Sequence, residues 1–251
     1  MTDTSASIRG ILFDKDGTLI DFNRTWLPLY RSAANYLAGE AGKPHLASEL
    51  LRSGGFIEAD ESWQPDSLLA SGSNQQIYEA WSSQLGIDID SDRLAECYRI
   101  FTQKHDGYAA VIENLNDFFD TLRQRGMKLG VATMDDEASA VKTLQAMGCL
   151  DRFDFVCGAD SGFGVKPEPG MVEAFCRQCN LSPEHTAMVG DSPRDLKMGR
   201  NAGVGLTIGV LTGTTGSAAL ADNADHIFQN ISGLLQLFSA KDYSSVSKRS
   251  V

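Results

Sequence analysis

The stretch IRGILFDKDGTLID, Ile8 to Asp21, decides how the rest of the chain is read. Its first half, Ile8–Phe13, is short and mostly apolar, as expected for a strand buried on both faces. Its second half turns polar at once, with Asp14, Lys15, Asp16, Gly17 and Thr18 in succession. Further along, the same alternation repeats. Met127–Ala132, Phe153–Val156, Thr186–Val189 and Val204–Ile208 are short apolar runs, each followed by a polar or Gly-rich turn. Segments with helical spacing lie between them, among them Leu115, Phe118, Phe119 and Leu122, then Val141, Leu144 and Met147 before Gly148. Short buried strands alternating with helices predict an α/β fold: a Rossmann-like parallel sheet with crossover helices.

Residues 21–105 break the rhythm. Trp26–Ala38, Ser73–Leu85 and Ser91–Gln103 carry helical periodicity, and Ser53–Ser73 between them is rich in Gly, Ser and acidic residues and reads as a loop. A span of this size is too long for a connection within one domain. It is read as an α-helical domain inserted after the first strand, so that 1–20 and 106–251 form the α/β core and 21–105 the insert. The hinges are expected near Asp21–Asn23 and Asp106–Tyr108, and the last dozen residues, AKDYSSVSKRSV, read as a frayed tail.

Composition narrows the function. Of 251 residues, 42% are hydrophobic and 22% charged, values of a globular chain and not of a disordered or fibrous one. With 22 basic and 33 acidic side chains the net charge is −11, which disfavours nucleic acid and anionic membrane as partners. No apolar run approaches the roughly 20 residues of a membrane span, and the N-terminus lacks the pattern of a signal peptide. Five cysteines do not suggest a disulfide framework, and the expected location is cytoplasmic. Cys176 and Cys179 form one C-x-x-C in a helical segment without a second pair at zinc spacing, so packing is the expected role.

In a parallel sheet the ligand site lies at the carboxyl ends of the strands. There the chain places Asp14-Lys15-Asp16-Gly17-Thr18, Thr133, Lys166-Pro167 in a Gly-rich loop, and Gly190-Asp191-Ser192-Pro193-Arg194-Asp195. Each piece alone is unremarkable, since D-x-D-G is a common turn sequence. An EF-hand reading from Asp14 fails, because Leu19 stands at the sixth loop position and Thr25 at the twelfth. Taken together and in order, they make a chemistry. Clustered carboxylates repel unless a cation neutralises them, and an all-oxygen set suits Mg²⁺. The cation attracts a phosphate, for which a Lys and a Thr supply positive charge and a donor. One carboxylate can attack phosphorus and a second can carry the proton.

These segments resemble the four motifs of the haloacid dehalogenase-like (HAD) hydrolases, on the phosphoglycolate phosphatase-like branch with an α-helical cap. FDKDGTLID resembles the first motif, the strand ending in Thr133 the second, Lys166-Pro167 the third and GDSPRD the fourth. The resemblance implies that Asp14 is the nucleophile and a Mg²⁺ ligand. Asp16 would be the general acid/base and would bind Mg²⁺ through its carbonyl. Thr133 and Lys166 would hold the phosphoryl group, with the N–H of Met134 beside them. Asp191 would be a metal ligand and Asp195 would tune the site from behind it. The implied activity is Mg²⁺-dependent hydrolysis of a small phosphorylated metabolite, phosphoglycolate among them, through an aspartyl-phosphate. A phosphomutase of the β-phosphoglucomutase type and a non-catalytic binding protein are the alternatives. The implied assembly is a monomer or a homodimer. Two positions depart from the family pattern. Met134, followed by Asp135-Asp136, stands where Asn is common, and Gly107-Tyr108-Ala109-Ala110 where the returning linker often reads Pro-Gly.

Overall fold

Gly10–Phe13 (β1) is buried along its whole length because it lies in the middle of a sheet with helices on both faces. A computed structural model describes residues 4–59, 61–64, 67–72, 74–88, 90–102 and 108–239. The tail 240–251 and residues 106–107 of the expected second hinge lie outside them. The remaining strands of the sheet are Lys128–Ala132 (β2), Phe155–Cys157 (β3), Thr186–Gly190 (β4), Leu206–Val210 (β5) and His226–Phe228 (β6). Their order is β3-β2-β1-β4-β5-β6 and every pairing is parallel. Gly10 is level with Lys128 on one side and Thr186 on the other.

The alternation of side chains along each strand divides the core in two. On one face Ile11, Phe13, Leu129, Val131, Val189 and Ile208 meet Leu115, Phe118, Phe119 and Leu122 of the helix Leu115–Gln124. Phe13 stands edge-on to Phe118 and Phe119, with centroids 6.3 and 5.9 Å away. On the other face Leu12, Ala132 and Met188 meet Met171, Val172, Phe175 and Met198 of the helices Gly170–Cys179 and Pro193–Ala202. Buried Cys176 belongs to this second layer, next to Thr186 at 3.4 Å.

Strand limits shift where backbone groups are taken by neighbouring turns. Val204 is expected to open β5, but its N–H bonds the carbonyl of Gly199 and closes the preceding helix, so the strand starts at Leu206. Phe153 ends the turn Leu150–Arg152, so β3 starts at Phe155. The edge strand β6 has no counterpart in the sequence pattern: three residues, one exposed and two half-buried, carry no readable alternation.

The chain divides into two compact units, 1–21 with 110–251, and 22–109. Sequence periodicity places these limits at 20/21 and 105/106. Within the second unit the helices are Phe22–Glu40, Ala47–Ser53, Leu68–Ser71, Asn74–Leu85 and Ser91–Thr102. The stretch read as a loop contains an antiparallel ladder, Phe56–Ile57 with Ser62–Trp63. Phe56 and Trp63 are buried against each other at 4.9 Å, and Trp63 also meets Phe22 and Tyr30. Two aromatic anchors thus order a segment whose composition is that of a loop. Trp81 and Leu37 are fully buried in the same cluster, and the Trp81 indole donates to the Leu50 carbonyl at 3.2 Å.

Candidate active site

Strand order reverses direction between β1 and β4, the position at which open parallel sheets bind ligands beyond the strand ends. Asp14 follows β1 directly and Asp191 follows β4 directly, so the reversal sets the two carboxylates side by side. The Asp14 N–H bonds the Val189 carbonyl at 2.8 Å, which continues the ladder one residue past the strand. Asp14, Asp191 and Asp195 each bring a carboxylate oxygen within 4.8 Å of the others, and all three are buried.

Lys166 closes this group. Its ammonium lies 2.5 Å from Asp14 Oδ1 and 2.6 Å from Asp195 Oδ1, at 2% side-chain exposure. The Lys166 carbonyl accepts from Arg194 at 2.8 Å, and that of Pro167 from Asn201 at 2.9 Å, so the helix Pro193–Ala202 carries the Lys166 loop. Asp195 is the third residue of that helix. Its Oδ2 accepts from the Ser192 N–H at 3.1 Å and the Ser192 hydroxyl at 2.6 Å, completing a capping box. Both its oxygens are therefore engaged, one by the cap and one by Lys166. It anchors Lys166.

Asp191 is cradled by glycine. Gly17, at φ +84°, and Gly213 approach so closely that a Cβ on either would lie 2.6 or 1.7 Å from Asp191 Oδ2. The same oxygen accepts from the Thr214 N–H at 3.1 Å, and Thr212 donates to the Gly17 carbonyl at 2.6 Å. No motif in the sequence points to this Thr212-Gly213-Thr214 loop. Its signal is position, since it follows β5 as the other site segments follow their strands.

On the far side of β1 the end of β2 contributes Thr133. Its hydroxyl lies 3.4 Å from Asp16 Oδ2 and accepts from the Asp135 N–H at 3.1 Å. Met134 occupies the bend between them. Lys15 and Asp135, which have no role in the motif reading, form a buried ion pair at 3.0 Å, and the same ammonium lies 2.9 Å from Asp16 Oδ2.

Burial dominates the electrostatics. It pushes the Asp14 carboxyl up to about 7; Lys166 pulls it down, while Asp195 and Asp16 push it further up. Burial, then Asp14 and Asp195, also hold Asp191 well above the usual carboxylate range. Burial alone would lower Lys166, but Asp14 and Asp195 outweigh it and keep the ammonium charged. The same balance holds Lys15 charged through Asp135 and Asp16. Asp14 Oδ2 is buried without a hydrogen-bond partner. A crowded pair of carboxylates with an unpartnered oxygen fits a hard divalent cation such as Mg²⁺, whose charge would relieve both.

Residues 8–203 match the model of the haloacid dehalogenase-like hydrolases. The chain is 28% identical over 242 residues to the pyrophosphatase PpaX of Bacillus velezensis, covering 95% of this chain and all of that one. It is 28% identical over 204 residues to the phosphoglycolate phosphatase of Nitrosospira multiformis, covering 78% and 80%. Among solved structures, a predicted phosphoglycolate phosphatase from Haemophilus somnus 129pt superposes with a TM-score of 0.68 at 20% identity, over 93% of this chain and 99% of that one. A HAD family hydrolase from Deinococcus radiodurans R1, solved with bound phosphate and sodium, gives 0.65 at 19% identity, over 95% and 99%. With its parallel sheet, its reversal site and the matched sequence model, the chain is a member of the haloacid dehalogenase-like hydrolase family.

Proposed function

We propose that this protein is a Mg²⁺-dependent phosphatase that hydrolyses a small phosphate monoester through an aspartyl-phosphate on Asp14. The observation that carries the reading is Asp14 itself: buried, held by Lys166 through one oxygen and unpartnered at the other. The phosphatase names of the curated relatives support the same class. Asp14, Asp191 and the Asp16 carbonyl would hold the Mg²⁺, which when bound offsets the charge of the phosphate and of the carboxylates.

The chain's own groups divide the remaining work. Asp14 attacks phosphorus, and the ester oxygen leaves with a proton from Asp16. Water then attacks the phosphoaspartate, Asp16 takes a proton from it, and Asp14 is released as a carboxylate. Lys166 and Thr133 hold phosphoryl oxygens through both steps, and Lys166 is kept in place by Asp195. The unit of residues 22–109 acts as the cap that selects the ester. The expected partner is a small phosphorylated metabolite; phosphoglycolate is the first ester to try, and pyrophosphate, an anhydride, is tried beside it.

The test is phosphate release from a panel of small phosphate esters with Mg²⁺, with chelator, and with Asp14→Asn. Chelator-sensitive release that vanishes in Asp14→Asn is the expected result. Undiminished turnover by a folded Asp14→Asn variant overturns the mechanism.

A further inference from the structure

Lys15 sits between the two aspartates of the first motif and is withdrawn from water, with 1% of its side chain exposed. Burying an ammonium is costly unless it is fully compensated. The compensation comes from both sides of the strand end. Asp135 Oδ2 lies 3.0 Å from the ammonium, and Asp16 offers Oδ2 at 2.9 Å and Oδ1 at 3.2 Å.

The two partners differ in how firmly they are held. Asp135 accepts from the Ser139 hydroxyl at 2.7 Å and from the Asp136 N–H at 2.8 Å, at the start of the helix Glu137–Ala146. Its carbonyl accepts from the Ala159 N–H at 3.0 Å, which ties it to the loop after β3. Asp16 is the more open carboxylate, 17% exposed against 8% for Asp135, and it also faces the Thr133 hydroxyl at 3.4 Å. Asp135 is thus a fixed anchor, Lys15 a rigid bridge, and Asp16 the group being aimed. The bridge exists because β1 and β2 are neighbours in register, Phe13 level with Val131, so the residues after them meet.

We infer that Lys15 and Asp135 are positioning residues that hold the Asp16 carboxylate in the orientation needed for attack of water on the phosphorylated enzyme. The inference rests on the phosphatase reading and adds the step that the pair controls. In that step a water oxygen bonds to phosphorus, and the bond from phosphorus to the Asp14 oxygen breaks. The Asp14 carboxylate leaves with the electron pair, one water proton passes to Asp16, and inorganic phosphate departs. A carboxylate already paired with a fixed ammonium is ready to receive that proton only at the orientation the pair imposes.

The two steps of turnover separate the inference from a merely structural role. With p-nitrophenyl phosphate the leaving group needs little protonation, so formation of the phosphoenzyme is spared when Asp16 loses its aim. The test compares wild type, Lys15→Met with Asp135→Asn together, and Asp135→Asn alone, by rapid mixing and by acid quench for protein-bound phosphate. The double variant removes the ammonium and its more buried partner together, so that only the more open Asp16 loses its counter-ion, and the single variant keeps the ammonium with a neutral isostere opposite Lys15. The expected result is a burst of one p-nitrophenol per enzyme, then a steady state slowed about 100-fold with phosphate bound to Asp14, and a smaller shift in the same direction for Asp135→Asn. A steady-state rate within about twofold of wild type, or a slowed rate without protein-bound phosphate, overturns the inference. Wild type that releases no phosphate from any ester defeats the phosphatase reading instead, and Asp14→Asn run alongside identifies that case.

Discussion

In the unit of residues 22–109 ion pairs stand in water, whereas at the strand ends of the α/β unit they are withdrawn from it. Arg31–Glu61 and Arg52–Glu49 have about half of each side chain exposed, while Lys166, Asp14 and Asp195 are almost closed off. The helical unit keeps its interior for aromatic and aliphatic groups: Trp81, Trp63, Tyr30, Phe56 and Leu37. Among the described residues, the buried charged residues Asp14, Lys15, Lys166, Asp191 and Asp195, together with the buried carboxylate of Asp135, belong to the α/β unit and to one end of its sheet. Exposed pairs contribute little to stability, and buried ones are rarely better than an apolar replacement. A fold gains nothing from concentrating its buried charge at one place, so the concentration marks the place where charge is used.

That contrast can be broken at several points. The largest effect is expected for Asp14→Asn, which lowers turnover by about four orders of magnitude or more while the melting temperature holds or rises, because one member of a repelling cluster is neutralised. Activity and thermal unfolding measured on the same preparation check it; a destabilised variant would show that the carboxylate is structural. Lys166→Met leaves Asp14 and Asp195 without their cation and is expected to destabilise by about 3–5 kcal/mol, read by denaturant unfolding. Trp81→Ala opens a cavity in the other unit and is expected to lower stability by about 3–5 kcal/mol, an apolar loss equal in size to the ionic one.

The dependence on pH sharpens the contrast further. Asp14 is raised to about 7 from an ordinary 3.8, so between those values the folded chain holds a proton that the unfolded chain has released. Stability of the metal-free protein therefore falls as pH rises from about 4 to 7, the reverse of a salt-bridged carboxylate with a depressed pKa. Melting curves in chelator at pH 5 and pH 8 measure this, and Mg²⁺ should restore more stability at pH 8; a flat profile would deny the burial of charge. The smallest effect belongs to the exposed pair: Arg52→Ala should leave the melting temperature unchanged within error.

Legibility followed the same division. Asp14, Asp16, Thr133 and Asp191 could be singled out from sequence because they follow apolar runs, and a parallel sheet gathers whatever follows its strands; Lys166, in a Gly-rich loop beyond the third strand, was legible only from its place in the order of the motifs. The long helices of residues 22–109 were legible from their period. The ladder Phe56–Ile57 with Ser62–Trp63 was not, since two-residue strands have no period and their order comes from the burial of Phe56 and Trp63. Strand β6 was hidden for the same reason of length.

By itself the sequence determined the α/β class, the inserted helical span, the family resemblance and the carboxylates at the strand ends, because these depend on local period and on chain order. Only the tertiary structure decided which charges meet. Lys15 and Asp135 are far apart in the chain, and no local pattern ties one to the other. Their pairing, the hold of Asp195 on Lys166 and the fit of Gly17 and Gly213 against Asp191 arise from strand order and register. Those two properties belong to the assembled sheet and to no segment of it.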